Sequence, residues 1–173
     1  MQLQVDKGTR VEISDELVKE AYMLGKLRRK ANRSCGKRNM LKSKKSPYIL
    51  EGEGVCGEFA AATMLEAHDS EWLKIRQIKP RQTVEDVGDL TISDRSLDVK
   101  TSMYSAAHLI VPLYKLQSLA DIYVLYTGFA GIYTFRGGIA RSTIQSNLMS
   151  YTFKGEAIWI PQDSLKDWPP WAV

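Results

Sequence analysis

Residues 89–102 read Asp89-Leu-Thr-Ile-Ser-Asp-Arg-Ser-Leu-Asp98-Val-Lys100-Thr-Ser102. Apolar residues alternate with polar and charged ones on both sides of a small polar segment, Ser93–Ser96. That composition is typical of a hairpin connection. We therefore predict a β-hairpin, with strands over Val87–Ser93 and Ser96–Ser102.

The charged residues of this hairpin predict a chemical site. Strand side chains alternate between two faces, so Asp98 and Lys100 share one face. Asp89 returns across the hairpin, and Glu58 lies upstream in an Ala-rich helical segment. Three carboxylates and a lysine at one point suit a hard divalent cation and an anionic substrate. A surface strand with solvated charges would show the same pattern, and the triplet alone does not decide between the two.

Composition narrows the class of protein. The chain has 173 residues, of which 44% are hydrophobic and 25% charged, as in an ordinary globular domain. It has no long apolar run and no signal-peptide pattern, so we expect a soluble, cytoplasmic protein. Two cysteines and two histidines lack metal-binding spacing, which argues against zinc and favours a reducing compartment.

Charge is unevenly distributed along the chain. Residues 1–50 carry 13 Lys and Arg against 5 acids, a net of +8, whereas the remainder carries 11 against 15, a net of −4. Such a basic segment is typical of a polyanion-binding protein, although a flexible solubilising arm would look similar. The candidate nucleic-acid-binding residues, which form a run free of acids, are Arg28, Arg29, Lys30, Arg33, Lys37, Arg38, Lys42, Lys44 and Lys45.

The first half of the chain is predicted to be mainly helical. Ser14 is expected to cap a helix whose first turn is acidic. A loop is predicted over Asn32–Pro47, followed by a glycine-rich lead, Gly52–Gly57, into a helix over Glu58–Ala67. The glycine-rich segment lacks the Gly-Lys-Ser/Thr ending of a phosphate-binding loop, so no nucleotide cofactor is expected. Trp72–Gln77 is predicted to be a strand.

The second half of the chain is predicted to be richer in strands. We expect a short strand or a loop over His108–Leu113, which leads into a helix around Leu113–Leu119, and then a second hairpin. Thr101, Ser102, Tyr104 and Arg95 are candidates for hydrogen bonds to phosphate, and Tyr114, Lys115 and Gln117 for a substrate-facing helix. The remaining predicted features are strands over Ile122–Thr127 and Gly131–Arg136, a break at Gly137-Gly138, a helix over Arg141–Met149 and a strand over Ala157–Ile160.

The order of these elements resembles the PD-(D/E)XK nuclease superfamily. A helix contains Gly57-Glu58, Asp89 stands near the start of a strand, and Asp98-Val-Lys100 lies on the next strand. Leu119-Ala-Asp121-Ile-Tyr-Val-Leu-Tyr126 is similar to the core strand that follows the catalytic hairpin, and Ala157-Ile-Trp-Ile-Pro161 to the C-terminal end of many members. The likeness covers roughly residues 50–165.

The resemblance implies a restriction-endonuclease-like α/β core, with a central mixed β-sheet flanked by helices on both faces. It also implies hydrolysis of phosphodiester bonds with Mg²⁺, for which Mn²⁺ would substitute. Asp89, Asp98 and the backbone carbonyl of Val99 would bind the metal, and Glu58 would join directly or through water. Lys100 would orient or activate the attacking water and offset charge on the phosphate.

Two further expectations follow from this resemblance. The first motif departs from the family pattern, because Gly88 stands where a proline is usual, and Asp86 remains a rival to Asp89 as the first acid. Clustered carboxylates repel one another, so we expect raised pKa values for these acids when no metal is bound.

We therefore expect a single nuclease-like domain over residues 1–173, with a basic N-terminal helix and loop at 1–47 and the core at 50–165. Its expected role is hydrolysis of DNA in phage or mobile-element DNA processing, recombination or junction resolution. Cutting both strands would require a homodimer, because one active site cuts one strand. The alternative is a non-catalytic nucleic-acid-binding accessory protein on the same fold. The sequence leaves open DNA or RNA, endo- or exonuclease action, specificity and the number of metals.

Overall fold

The first helix begins where the sequence predicts it. In the computed structural model, which describes residues 3–34, 45–78, 88–117 and 120–171, helix α1 spans Asp15–Ser34. The Ser14 hydroxyl accepts a hydrogen bond from the Leu17 amide at 3.3 Å. Asp15 and Glu16 occupy the first turn, where the helix dipole favours carboxylates. The helix ends later than predicted, inside the segment expected to be a loop.

Helix α2 (Pro47–Met64) begins well before the predicted start and contains the glycines expected to precede it. These glycines permit close packing. A Cβ at Gly25 of α1 would lie 2.5 Å from the Gly52 nitrogen of α2, and one at Gly57 would lie 2.6 Å from the Thr101 side chain. The prediction of a lead segment was wrong, because contacts with neighbouring elements offset the poor helix propensity of glycine.

The segment predicted as a strand at Trp72–Gln77 is mainly helical. Helix α3 spans Asp69–Ile75, and the His68 side chain at its N-cap accepts a hydrogen bond from the Ser70 amide at 3.2 Å. The Trp72 ring stacks on Phe59 of α2 with 5.6 Å between centroids. A short apolar pattern does not separate helix from strand, and here packing on α2 decides.

Within the described parts of the chain, eight strands form two sheets. In chain order they are β1 (Arg10–Glu12), β2 (Leu90–Ile92), β3 (Arg95–Ser102), β4 (Leu109–Pro112), β5 (Ile122–Phe129), β6 (Ile132–Ala140), β7 (Thr152–Lys154) and β8 (Ala157–Ile160). The main sheet has the order β1-β6-β5-β3-β2, and the smaller one β4-β8-β7. Only the β3–β5 pair of the main sheet is parallel, so this sheet is mixed.

Both predicted hairpins are confirmed, with tighter turns than expected. Ser93 and Asp94 have φ of 49° and 61°, and Ala130 and Gly131 have 50° and 94°. Two successive residues with positive φ are typical of the type I′ turn that matches strand twist. The register pairs Leu90 with Leu97, so residues 89 and 98 lie at neighbouring positions of the two strands.

The predicted break at Gly137-Gly138 is wrong, because β6 continues to Ala140. The glycines instead leave room for residues 165 and 166, which cross this strand at close range. A Cβ at Gly137, where φ is +119°, would lie 2.7 Å from the Leu165 Cβ, and Gly138 exchanges backbone hydrogen bonds with Lys166. The break signal in the sequence thus marks a close backbone approach inside a strand.

The main sheet separates two apolar clusters. On one face Val99, Val124 and Tyr126 pack with residues of α1 and α2, and on the other Tyr123 and Leu125 pack with residues of β4 and β8. The second face is therefore covered largely by the small sheet, together with a 3₁₀ turn at Leu113–Gln117 and helix α4 (Arg141–Ser146), rather than by the expected helical layer.

The expectation of an α/β fold with a central mixed sheet is confirmed. Among the described residues, every helix is too short or too polar to cross a membrane.

Candidate active site

The Asp98 and Lys100 side chains lie together on β3, as strand alternation predicts. The Lys100 ammonium forms an ion pair with the Oδ1 atom of Asp98. A second ammonium, that of Lys115, lies 2.5 Å from Oδ2. The Asp98 carboxylate therefore has a lysine at each of its two oxygens.

Burial and charge act in opposite directions on Asp98. The residue is only 2% exposed, and this burial by itself raises its pKa. The Lys100 and Lys115 ammonium groups outweigh that effect, and the pKa of Asp98 falls well below its ordinary value. The expectation of a raised pKa is therefore wrong for this acid, because two cations surround it rather than other carboxylates.

Lys115 is the residue that sequence reasoning misplaced. It was expected on a substrate-facing helix, but it is 5% exposed and points at Asp98. Its backbone carbonyl accepts a hydrogen bond from the buried Tyr123 hydroxyl at 2.6 Å, which fixes the turn that carries it. The sequence contained a signal, since Lys115 is the single Lys, Arg, Asp or Glu residue between positions 101 and 120.

Asp89 lies beside the same part of β3. Its Oδ2 atom accepts a hydrogen bond from the Val99 amide at 2.7 Å, and its own amide donates to the Leu97 carbonyl at 2.6 Å. The preceding Gly88 has φ of +85°, and a Cβ there would lie 2.6 Å from the Leu97 oxygen. Proline, which the resemblance led us to expect here, cannot adopt that φ, whereas glycine can.

Glu58 lies apart from these residues. It belongs to α2, which packs through Gly57 on Thr101, and Thr101 alternates with Lys100 and so faces the other way. Both Glu58 oxygens accept hydrogen bonds from Arg28, at 2.6 and 2.9 Å. Arg28 also donates to the Ile75 carbonyl at 2.5 Å, so this ion pair joins α1, α2 and α3.

The expected convergence of three carboxylates is thus not found. Asp98 and Lys100 form an ion pair and Asp89 binds the amide of Val99 between them, whereas Glu58 is held on the helix-covered face. Within residues 3–34, 45–78, 88–117 and 120–171, no group of three or more His, Cys, Asp or Glu side chains could hold a metal ion. The rival first acid, Asp86, lies outside the described residues.

The remaining donor set still fits Mg²⁺. This ion is commonly held by one or two carboxylates and keeps several waters or substrate oxygens. Asp98 and the carbonyl of Val99 on β3, with Asp89 directly before β2, supply oxygen atoms of the required kind. A cation at Asp98 would take the place of at least one ammonium, and Lys100, with a side chain 26% exposed, is the more accessible of the two.

The basic residues of α1 occupy its last turns, where the helix dipole favours cations. Arg28 is bound to Glu58, Arg29 is half-buried, and Lys30 and Arg33 are exposed. The Arg33 guanidinium lies 5.7 Å from the centre of the Tyr48 ring, and the Lys45 ammonium lies 5.5 Å from that of Tyr104. The other expected nucleic-acid-binding residues, Lys37, Arg38, Lys42 and Lys44, lie outside the described part of the chain.

Comparison of the chain with protein-family models, curated proteins and solved structures gave no significant match. The functional argument therefore depends on the chain's own residues. Central among these is the buried Asp98 carboxylate, which lies between two lysines. A second carboxylate, that of Asp89, lies directly before the neighbouring strand.

Proposed function

We propose that this protein is a metal-dependent nuclease that hydrolyses phosphodiester bonds of DNA. The observation that carries the proposal is the grouping of Asp98, Lys100 and Asp89 at one place on the β2–β3 hairpin. Burying a carboxylate costs free energy, and a buried ion pair is often less stabilising than apolar residues of the same volume. A chemical role gives a reason for Asp98 that packing does not.

Each residue has a role in the proposed reaction. Asp98, Asp89 and the Val99 carbonyl would hold Mg²⁺, which when bound lowers the pKa of a water and neutralises charge at phosphorus. Lys100 is partly exposed, so its ammonium can hold a phosphate oxygen or the attacking water. Lys115 is a positioning residue, because it fixes the Asp98 carboxylate from the protein interior. In the reaction a water oxygen bonds to phosphorus, and the bond to one sugar oxygen breaks as that oxygen takes a proton.

The proposed substrate is DNA inside a bacterial or phage-infected cell, where a strand is cut during DNA processing or recombination. Cys56 is a free, buried thiol, which is compatible with a reducing compartment. Cleavage of both strands would need two copies of the site and therefore a homodimer.

A second candidate function is supported by one observation. Both oxygens of Asp98 face lysines, which favours a neutralised, structural carboxylate over a metal ligand. Under this reading the protein binds nucleic acid without cutting it, as an accessory protein.

The experiment that separates these functions is cleavage of labelled single-stranded, duplex and four-way-junction DNA, with matched RNA, in Mg²⁺, Mn²⁺ or EDTA. Wild-type protein is compared with Asp98→Asn, and with Asp163→Asn as a control at an exposed acid. We expect metal-dependent cleavage that Asp98→Asn loses and Asp163→Asn keeps. Binding without cleavage in every metal would reject the nuclease and support the accessory protein.

A further inference from the structure

A cleft of about 140 Å³ opens where β3 and β5 end, beside the proposed active site. Its walls come from the first half of α2, from the chain that follows β3, and from Gly128 near the end of β5. Thr101, which lines it, follows Lys100 directly. Ser102, which also lines it, stands two residues beyond Lys100, a separation of about 7 Å along a strand. Ser102 shares the strand face of Lys100, whereas Thr101 lines the cleft from the face covered by α2, so the cleft approaches the proposed reaction centre at Ser102.

The cleft has an aromatic ring and a cation at its edge. Tyr104 is 71% exposed, and the Lys45 ammonium lies 5.5 Å from its ring centre. Lys45 also contacts the sulfur of Met103 at 2.9 Å, so its chain lies along the cleft wall. Aromatic rings beside cations are the elements that bind single-stranded nucleic acid, since bases stack on the rings and phosphates approach the cations.

A second pair of the same kind continues from this cleft. Arg33 lies over Tyr48, which stands three residues after Lys45 and two residues before the cleft-lining Leu50, at the start of α2. Tyr48 is also exposed. Two successive cation–aromatic pairs on the basic side of the molecule give a track for a strand with unstacked bases.

The floor of the cleft carries a buried carboxylate that is already hydrogen-bonded within the protein. Glu53 is buried there, and its carboxylate accepts hydrogen bonds from the Tyr22 and Tyr133 hydroxyls and from the Ala130 amide at 3.2 Å. A buried acid repels phosphate, so a nucleotide would enter with its base inward and its phosphate toward Lys45. Gly54 leaves the remaining space open, since a Cβ at this position would meet no atom within 4 Å.

We propose that this cleft binds one unpaired nucleobase of the strand to be cut, stacked on Tyr104, with the adjoining phosphate at Lys45. The inference extends the proposed nuclease function by naming its substrate class: DNA with a single-stranded end or flap next to the scissile bond. A fully paired blunt duplex would first have to unpair a base, which costs a few kcal/mol.

The test is the affinity of the protein, in EDTA, for a hairpin DNA with a 2-aminopurine-containing single-stranded tail and for the same hairpin with a blunt end. Stacking quenches 2-aminopurine fluorescence, so base insertion is observed directly. Tyr104→Ala should weaken binding of the tailed DNA about tenfold and abolish quenching, because one base–aromatic stack is worth about 1–3 kcal/mol. Tyr104→Phe should bind like wild type.

The Gly54→Leu variant tests the role of the cleft in binding without destabilising the fold. The side chain would fill open space, and leucine is a better helix former than glycine, so the melting temperature should not fall. Binding of the tailed DNA should nevertheless weaken about tenfold, with blunt DNA unaffected. Lys45→Gln should also weaken it, whereas Lys154→Gln, at a lysine over the Trp159 ring in the second sheet, is the matched control.

Equal losses for tailed and blunt DNA, wild-type affinity of Tyr104→Ala, or no binding of tailed DNA at all would overturn the inference. The two proposals fail separately. Tyr104-dependent quenching without metal-dependent cleavage would retain the cleft and reject the nuclease. Cleavage without such quenching would do the reverse.

Discussion

Asp98 is a residue whose burial is costly for folding, and the proposed nuclease function gives a reason for that cost. Its carboxylate is buried, and two lysines lower its pKa against the effect of burial. Coulombic attraction at such a site is stronger than in water, but the desolvation of three charged groups opposes it. The balance makes the local structure sensitive to the loss of either lysine, and in different ways.

Lys100→Ala should lower the cleavage rate about 100-fold or more, as removal of a group that stabilises transition-state charge commonly does. Binding should change by less than about twofold, because Lys115 still neutralises Asp98. Single-turnover cleavage and equilibrium binding measure the two effects, with Lys26→Ala, at an exposed position of α1, as control. A wild-type rate in Lys100→Ala would remove this residue from the proposed mechanism.

Lys115→Met should lower the free energy of unfolding by about 3 kcal/mol, because removal of one partner from a buried ion pair leaves an uncompensated charge. In an Asp98→Asn background the same substitution should cost much less, since the carboxylate is gone. Urea denaturation of the four proteins in this double-mutant cycle gives the coupling. Additive effects would mean that the 2.5 Å contact contributes nothing to stability.

At the scale of elements, glycines determine how α1, α2 and β3 approach one another. The consequences of an added methyl group differ sharply between positions of these elements. At Gly25 the new Cβ would collide with the α2 backbone, and at Gly54 it would meet nothing. The same substitution therefore has opposite signs on two neighbouring helices.

Gly25→Ala should destabilise the protein by about 2 kcal/mol, since overpacking forces backbone shifts. Gly54→Ala should instead stabilise it by up to about 1 kcal/mol through helix propensity. Thermal and urea unfolding of both variants tests the helix–helix packing. Stabilisation by Gly25→Ala would contradict the close approach of α1 and α2.

The starts of β3 and β5 are joined by Asp121, whose carboxylate accepts hydrogen bonds from the Ser96 amide at 3.0 Å and the Ser96 hydroxyl at 3.1 Å. The Ser96 amide, with smaller contributions from the hydroxyl and Arg141, lowers the pKa of Asp121 despite partial burial. A carboxylate whose pKa is lower in the folded state stabilises the fold above its unfolded pKa, here near 3.8. That contribution is lost as the pH falls from 3.8 through the lower folded-state pKa.

Asp121→Asn should therefore be less stable than wild type at neutral pH, and the difference should vanish in strong acid. Urea midpoints measured from pH 7 to pH 2 give this difference, with the exposed Asp163→Asn as control. A difference that is independent of pH would mean that the hydrogen bonds to Ser96 do not require the ionised carboxylate.

At the scale of the whole molecule, charge is arranged so that one region is basic. The end of α1 carries exposed Lys30 and Arg33, and Lys45 precedes α2 beside the cleft. Arg28, by contrast, is used internally by Glu58. A polyanion would therefore be bound by the exposed members of the basic segment.

Lys30→Gln combined with Arg33→Gln should weaken binding of any DNA sequence and reduce the salt slope, log Kd against log salt, by about 2, or about 1 per lost phosphate contact. Fluorescence anisotropy between low and moderate salt measures it. Lys19→Gln combined with Lys26→Gln, at exposed positions earlier on α1, is the matched control. An unchanged slope would mean that the end of α1 does not contact DNA.

The sequence by itself determined the features that depend on neighbouring residues. The Ser14-capped helix, the two hairpins and the shared face of Asp98 and Lys100 follow from capping, turn chemistry and strand alternation, which act over a few positions. The mixed sheet was expected from the resemblance that the order of these elements carries.

Only the tertiary structure decided the features that depend on contacts between residues distant in the chain. Gly52 and Gly57 lie within a helix because α1 and β3 press against them, and Gly137 lies within a strand because residues 165 and 166 cross it. Glu58 faces Arg28 rather than Asp98, and Lys115 reaches Asp98 across 17 residues. Local propensities differ by about 1 kcal/mol or less per residue, so packing and buried charge, which involve several kcal/mol, override them.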